Sequence, residues 1–323
     1  MTTIANLFPN GDVKRITDQW IRRDAKELAN FRTSGIVEEN DLFNARASAE
    51  GNITSVPFVN PLSGDSSVGS DDLTAKIAAG NLTGDELLAV RQIRTKAWAG
   101  AELARLVTGL DPVAAITAGI ARWRALDEQK VLVAMLNGVI ADAVQNDAAT
   151  MIVGDGTDKF DAAMLIDACQ LKGERKDALT TIIMHSAVEA QLLKDNQIEF
   201  VPASDQAGAF RAFQGKRVVV SDAMPVSSGV YTSIVCAPGL ISYGEAEFRR
   251  GGFDVVADEL AGNGAGGDTV VHRRQYIAAV QGYSYTGAAN PDNSALAAHA
   301  NYVRKYPVEM IPLSIVKTAL TAS

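Results

Sequence analysis

His185 and Ser186 stand side by side where an apolar run, Ile182-Ile183-Met184, meets the amphipathic stretch that continues to Ile198. A strand turning sharply into a helix is where α/β enzymes place a serine nucleophile. That elbow needs small residues around the serine, as in G-x-S-x-G, because the turn is too tight for side chains. Here the neighbours are Met184, His185, Ala187 and Val188, which do not match. Ser186 fits better as the N-cap of a helix carrying Val188, Leu192 and Leu193, with Glu189 three residues on completing a capping box. His185 is then a corner residue.

Two further stretches have the composition of ligand sites. "GNGAGGDT" (Gly262 to Thr269) has the glycine density of a phosphate loop. Such a loop needs a lysine before the Ser/Thr and a helix after it, to supply charge and dipole. Asp268 stands where the lysine would, and a strand pattern follows, so a flexible hairpin tip is expected. "GDGTDKFD" (Gly154 to Asp161) gathers Asp155, Asp158 and Asp161. It lacks the D-x-D-x-D-G order and distal glutamate of a calcium loop, and reads as a turn leading into an acidic helix start. Cys169 and Cys236 lie far apart in apolar contexts, as buried thiols of a reducing compartment do. With only three histidines, no spacing suits zinc. Acid/base candidates are scattered, with no His–carboxylate pair at helical or strand spacing. The residues nominate no catalytic, cofactor-binding or metal site.

The elements that would position such groups come next. The chain has 323 residues, 47% hydrophobic and 21% charged, enough for a substantial core. Aromatics make up only 6%, so that core is aliphatic. A net charge of −8 and a pI near 5.0 argue against a phosphate-gripping nucleic-acid binder. The basic "QWIRRDAKELANFR" is interleaved with Asp24 and Glu27 and reads as a solvated helical face, with Thr17 as its cap and Trp20, Leu28 and Phe31 at helical spacing. The N-terminus has no charged-then-apolar signal pattern. The apolar stretch Val131 to Val144 contains Asn137, Gly138 and Asp142 and is too short to span a bilayer. A soluble protein made inside the cell is expected.

From Gly51 to Asp72 the chain turns rich in Gly, Ser, Pro and Asp, around a short β-like piece, Ile53 to Val59, broken by Pro57. The return, residues 82 to 106, is helix-prone at its end, with Thr83 as a possible cap. At Asp111-Pro112 an N-cap and a first-turn proline open a long helical pattern, with Val113, Ile116, Ile120 and Trp123 on one face. Some 33 residues give a helix of about 50 Å, well beyond the usual three to four turns. Sustained heptads are missing, so it reads as a spine rather than a coiled coil. Beyond Gly156 the texture is α/β: helix "DAAMLIDACQL", strand "TTIIM", helix "AVEAQLLKDNQ", strands "GKRVVVSDAMP" and "YTSIVCAPG". After Glu245 come long β stretches, "GGFDVVADEL" and "TVVHRRQYIAAVQGYSYTG", and a final strand-like "VEMIPLSIVKTAL".

As an ordered set, "DPVAAITAGIARWRALDEQKVLVAMLNGV", "TTIIMHSAVEAQLLKDNQI", "GKRVVVSDAMP", "YTSIVCAPGLISYGE" and "NYVRKYPVEMIPL" resemble the major capsid (coat) proteins of tailed bacteriophages, from about residue 50 to the end. The resemblance implies an α+β capsid fold: an N-terminal arm (1–50), an extended β loop (51–100), a peripheral domain with a spine helix (101–156), an α/β axial domain (157–245) and return strands of the peripheral domain (246–323). It implies a non-enzymatic shell subunit that forms hexamers and pentamers of itself around double-stranded DNA without sequence-specific binding. Cofactors and membranes play no part, and the protein is assembled in the host cytoplasm into a virion. Portal and decoration proteins are implied partners. Some relatives crosslink loop lysines to neighbouring asparagines; Lys76 and Lys96 lie in or near the loop, but no partner or buried carboxylate is identifiable, so no crosslinking is expected. A cleavable scaffolding segment before the arm has no room here, so any scaffold is a separate protein. An encapsulin-like shell and a soluble α/β hydrolase centred on His185-Ser186 are the alternative readings.

Overall fold

The computed structural model describes residues 30–49, 51–60, 81–102, 112–201, 210–249 and 251–320, with scattered positions between 62 and 79. Thr17, Trp20, Asp24, Glu27, Leu28 and Asp111, named above, lie outside the described residues.

Two sheets share one helix. The first is ordered β1-β11-β13-β3-β2, where β1 is Val37–Glu39, β2 Ile53–Val59, β3 Gly84–Ala101, β11 Ile241–Ala246 and β13 Gly267–Val280; β12 (Phe253–Asp258) also pairs with β13. Its backbone is the long antiparallel ladder from Gly267↔Ala101 to Ala278↔Val90. The second sheet is ordered β4-β16-β10-β5-β8-β7-β6. It comprises β4 (Ile152–Val153), β5 (Thr181–Met184), β6 (Glu199–Val201), β7 (Phe210–Phe213), β8 (Lys216–Val220), β10 (Val230–Cys236) and β16 (Leu313–Thr318), with β9 (Val226–Ser227) paired to β10. The chain crosses from the second sheet to the first between Cys236 and Ile241. It returns through the ribbon β14 (Tyr283–Tyr285) and β15 (Tyr302–Arg304). The last strand therefore lies beside β10 and β4, not with the strands of residues 246–280, and β11 lies in the first sheet although it falls within 157–245.

The spine, helix Pro112–Asn146, begins at the proline whose missing N–H costs nothing there. From Val131 to Leu136 every side chain is buried, as are Val139, Ile140 and Ala143. A helix apolar all round must be covered all round. It is: the same continuous cluster contains Tyr276 and Ala278 of the first sheet and Ile183, Ile234 and Ile315 of the second. Gly138 permits the closest approach, because a Cβ there would sit 2.3 Å from the Leu296 carbonyl oxygen and from the Tyr302 ring. At the helix's other end Ile116, Ile120 and Trp98 pack with Phe253 and Val270, and Trp98 meets Trp123 edge-on at 4.9 Å. The Val113 side chain lies outside the described residues.

The other face of the second sheet is covered by two helices, Ala162–Gln170 and Ser186–Lys194, which bury Leu165, Val188 and Leu192 against Ile182, Met184 and Val235. These local elements match their sequence patterns. Residues 84–101 carry two expectations, a helix-prone end with Thr83 as a possible cap and, from the resemblance, an extended β loop; an 18-residue strand runs there. Its partner β13, more than 160 residues away, supplies the ladder that overrides the helix-forming Glu, Leu, Ala and Arg. Thr83 instead accepts a side-chain hydrogen bond from Asn60 at the base of the excursion (3.1 Å). Pro57 does not break β2 either, because β2 is the outer strand of its sheet and a missing N–H there can face away from the ladder.

Candidate functional site

The His185–Ser186 corner is a helix cap shifted by one residue from the sequence expectation. His185, not Ser186, is the N-cap: its Nδ1 accepts from the Ala187 N–H at 3.1 Å, and Ser186 is the first helical residue. With the register moved, Glu189 leaves the capping-box position and pairs with Arg211. The His185 ring packs edge-on against Tyr231 at 5.3 Å. A histidine whose Nδ1 lone pair is committed to a backbone amide, beside a carboxylate taken by an arginine, is positioned for capping rather than for activating its neighbour.

The other stretches resolve in the same structural terms. Asp155 accepts from the Thr157 hydroxyl (2.6 Å) and amide (3.0 Å), which hold its carboxyl below the usual range, and Asp161 caps the following helix through the Met164 N–H (2.8 Å). Gly262–Thr269 lies at the β12–β13 hairpin, where Asp258 pairs with Gly267. Cys169 and Cys236 are buried and unbridged, and burial pushes the Cys236 thiol up to about 12. Among the described residues, no three His, Cys, Asp or Glu side chains are grouped to hold a metal. Lys76 and Lys96 are both exposed.

The densest polar chemistry is a buried charge cluster that sequence reading missed. It is built around the spine sequence Arg124-Ala-Leu-Asp127-Glu128. Arg274 of β13, 0% exposed, reaches Asp127 at 2.5 Å and Glu128 at 3.5 Å. Glu128 also accepts from Arg32 Nε at 2.5 Å, and Arg32 reaches Glu39 at 2.6 Å. Arg124 donates through one guanidinium nitrogen to both carboxylate oxygens of Glu245 of β11. Aromatic faces complete the shell: Arg32 lies 4.1 Å from the Tyr243 ring centroid, and Tyr243 stacks on Tyr276, whose hydroxyl donates to Gln92 of β3 at 3.1 Å. Burial pulls the Arg32 and Arg274 guanidiniums down, but the surrounding tyrosines and carboxylates more than offset it and hold both above their ordinary value. Burial, reinforced by Glu128 and Glu245, drives the Tyr243 hydroxyl well up. The cluster ties the segment after residue 30, the spine and the first sheet into one ionic unit. In sequence its members look like ordinary solvated charges on a helix and on alternating strands.

At the rim of the cluster lies His272, 1% exposed, with Nδ1 3.0 Å from the Gly252 carbonyl oxygen and its ring 6.0 Å from Trp123. Burial, and then Arg124 and Arg274, lower its pKa to about 3, so at neutral pH it is an uncharged donor through Nδ1–H.

Elsewhere the surface is left apolar without cover. Leu62, Val68 and Ile77 in the excursion between β2 and β3 are 84%, 94% and 79% exposed, and Leu260 at the β12–β13 tip is 86% exposed. The first three lie on the connection between β2 and β3, outside both strands.

A family model for Gp13-like proteins, described as major capsid protein 13-like, matches residues 113–307. The chain is 32% identical over 325 aligned residues to the major capsid protein of Bacillus phage SPP1, covering 96% of this chain and 97% of that one. Among solved structures it resembles the cyanophage Pam1 capsid asymmetric unit (TM-score 0.57, 9% identity, 91% of this chain and 93% of that one). It also resembles a chain of Microbacterium phage Oxtober96 (TM-score 0.54, 9% identity, 88% and 90%) and the capsid of Ralstonia phage GP4 (TM-score 0.54, 10% identity, 77% and 84%). At such identities the structural likenesses speak to fold alone.

Proposed function

We propose a division of labour within a phage head, starting from the premise that this chain belongs to the Gp13-like major capsid proteins: it is a structural, non-enzymatic subunit that self-assembles into an icosahedral shell. In this reading residues 1–50 form the arm and 51–100 the extended loop. The spine and the first sheet make the peripheral unit. The second sheet with its two covering helices, broadly 157–236 joined by the last strand, makes the axial unit. Copies gather as hexamers and pentamers. The loop of each lies over a neighbour, which buries Leu62, Val68 and Ile77. Assembly takes place in the host cytoplasm, and portal and decoration proteins bind the finished shell. The enclosed double-stranded DNA is held without sequence reading, and a net charge of −8 keeps the wall from gripping it.

The observation that carries this reading is the unmatched apolar surface of the excursion beside a fully closed spine core. Three large apolar side chains left this open on the connection between β2 and β3 are what a covering neighbour would bury. Electron microscopy of the purified protein, with mass from light scattering, is the test. Closed shells, or rings of five or six, are expected. A homogeneous small species that stays unassembled with added scaffold would overturn it.

A further inference from the structure

Residues 31–40 lie across the place where the chain passes from the second sheet to the first. The Gly239 N–H donates to the Gly35 carbonyl at 2.8 Å, and the Ile241 N–H to the Ile36 carbonyl at 3.0 Å. β1 then pairs in parallel with β11, from Val37↔Ile241 to Glu39↔Tyr243, and the Asn40 N–H donates to the Tyr243 carbonyl at 2.9 Å. On the other side of the crossing, Arg217 of β8 donates to the Thr33 carbonyl at 2.9 Å. Below, Arg32 holds Glu128 on the spine, while Phe31 and Ile36 enter the apolar cluster that contains Ile183 and Val219 of the second sheet and Tyr276 of the first. One ten-residue segment thus bonds to the second sheet, the spine and the first sheet, and its backbone bonds fall on Gly239 of the linker and on β11 just after it.

We propose that this segment is a latch that sets the angle between the two sheet units: engaged, it holds one geometry, and released, it lets the 237–240 linker pivot on the spine. The physical grounds are the kinds of bond on each side. Toward the first sheet the segment makes a ladder and a buried charge cluster, which do not yield readily. Toward the second sheet it makes the apolar contacts of Phe31 and Ile36 and a polar tie, Arg217 on the Thr33 carbonyl, at an exposed position where water can replace the carbonyl. Such an arrangement releases at one end while staying anchored at the other, and bistable contacts of this sort turn a local change into a domain rotation. Its consequence for shells, a uniform curvature from copy to copy, rests on the capsid reading above; the latch itself is a property of the subunit.

The test uses the full chain with nitroxide labels at the exposed positions Lys194→Cys and Asp258→Cys, one on each unit, in wild-type and Arg217→Ala backgrounds. Because Arg217 also sits 5.6 Å from the Phe210 ring centroid, Phe210→Leu serves as the control that disturbs that stacking and spares the Thr33 bond. The latch predicts a broader label–label distance distribution in Arg217→Ala than in Phe210→Leu. It also predicts roughly tenfold faster amide exchange at Gly239 in the linker, with Ile241 in the anchored ladder, Ile183 and Val188 unchanged. Shells of Arg217→Ala should spread in diameter. Unchanged distances and exchange in a folded Arg217→Ala protein would overturn the latch, as would exchange that rises equally throughout the chain. If wild-type protein forms no shells at all, the capsid reading fails, while the label distances and exchange rates still decide the latch.

Discussion

His272 should make the subunit acid-sensitive well above the pH at which it is protonated in the fold. Its folded pKa is lowered to about 3 from an ordinary 6.5, first by burial and then by Arg124 from the spine and Arg274 from its own strand; Glu245 on β11 opposes weakly. Because the folded value is depressed, the unfolded chain binds the proton more readily, so stability is full above pH 6.5 and falls as pH drops toward 3. At 1.36 kcal/mol per unit, lowering the pH from 7 to 5 costs about 2 kcal/mol from this one group. His272→Asn keeps a donor toward the Gly252 carbonyl and cannot titrate. Urea melts of the unassembled subunit at pH 7 and 5, followed by tryptophan fluorescence, give the pH increment for each protein. The increment should be smaller in the variant by about 2 kcal/mol, whatever it loses at pH 7 through imperfect packing. Equal increments in both proteins would refute the argument, because they would mean the buried imidazole takes up its proton as easily inside the fold as outside.

The charge cluster, the spine glycine and the corner cap give three further expectations. Glu128→Gln removes the carboxylate shared by Arg32 and Arg274, leaving Glu39 and Asp127 as their partners, and should destabilise the subunit by about 1–3 kcal/mol, the cost of weakened buried charge-assisted hydrogen bonds; denaturant midpoints of the variant and of Glu174→Gln, at an exposed position, make the comparison. Gly138→Ala puts a methyl group into the Leu296 backbone and the Tyr302 ring, neither of which is a free side-chain end, and should cost roughly 1–3 kcal/mol or more by overpacking, read as a lowered melting temperature. His185→Ala should lose about 1 kcal/mol as a cap, and Ser186→Ala much less; the reverse ranking in thermal melts would restore Ser186 as the cap.

How legible the molecule was depends on how far apart its partners lie. The strand at Thr181–Met184, the helices on either side of it and the 35-residue spine carry their signals within a dozen residues, and local period and end residues found them. Residues 84–101 misled because their composition suits a helix and their true partner is β13. The corner misled by one residue, since serine is the commoner cap and only the bond from the Ala187 amide shows that histidine took the place. The charge cluster left almost no local mark. Arg32, Glu128, Glu245 and Arg274 sit on four separate elements, and nothing short of the fold distinguishes a buried arginine from a solvated one. One signal was available in retrospect: Arg274 and Tyr276 fall on alternate positions of a strand whose other alternate residues are buried, where a charge must find partners.

The exposed loop residues separate the energetics of the subunit from those of the shell. Val68 and Ile77 are 94% and 79% exposed, so Val68→Ser and Ile77→Ser remove almost nothing from the core of an isolated chain, and its melting temperature should stay within a degree or so. If a neighbour covers these side chains, each is worth about 1.5–3 kcal/mol of burial that the variant forfeits. That loss recurs in every copy, so a shell sums it over all of its subunits. Guanidinium titrations followed by light scattering should therefore show variant shells dissociating at clearly lower denaturant, with the unfolding of released subunits unmoved. Shells that resist as well as wild type would mean the loop meets solvent in the assembly. The apolar residues between β2 and β3 would then need some other occupant than a second copy of the chain.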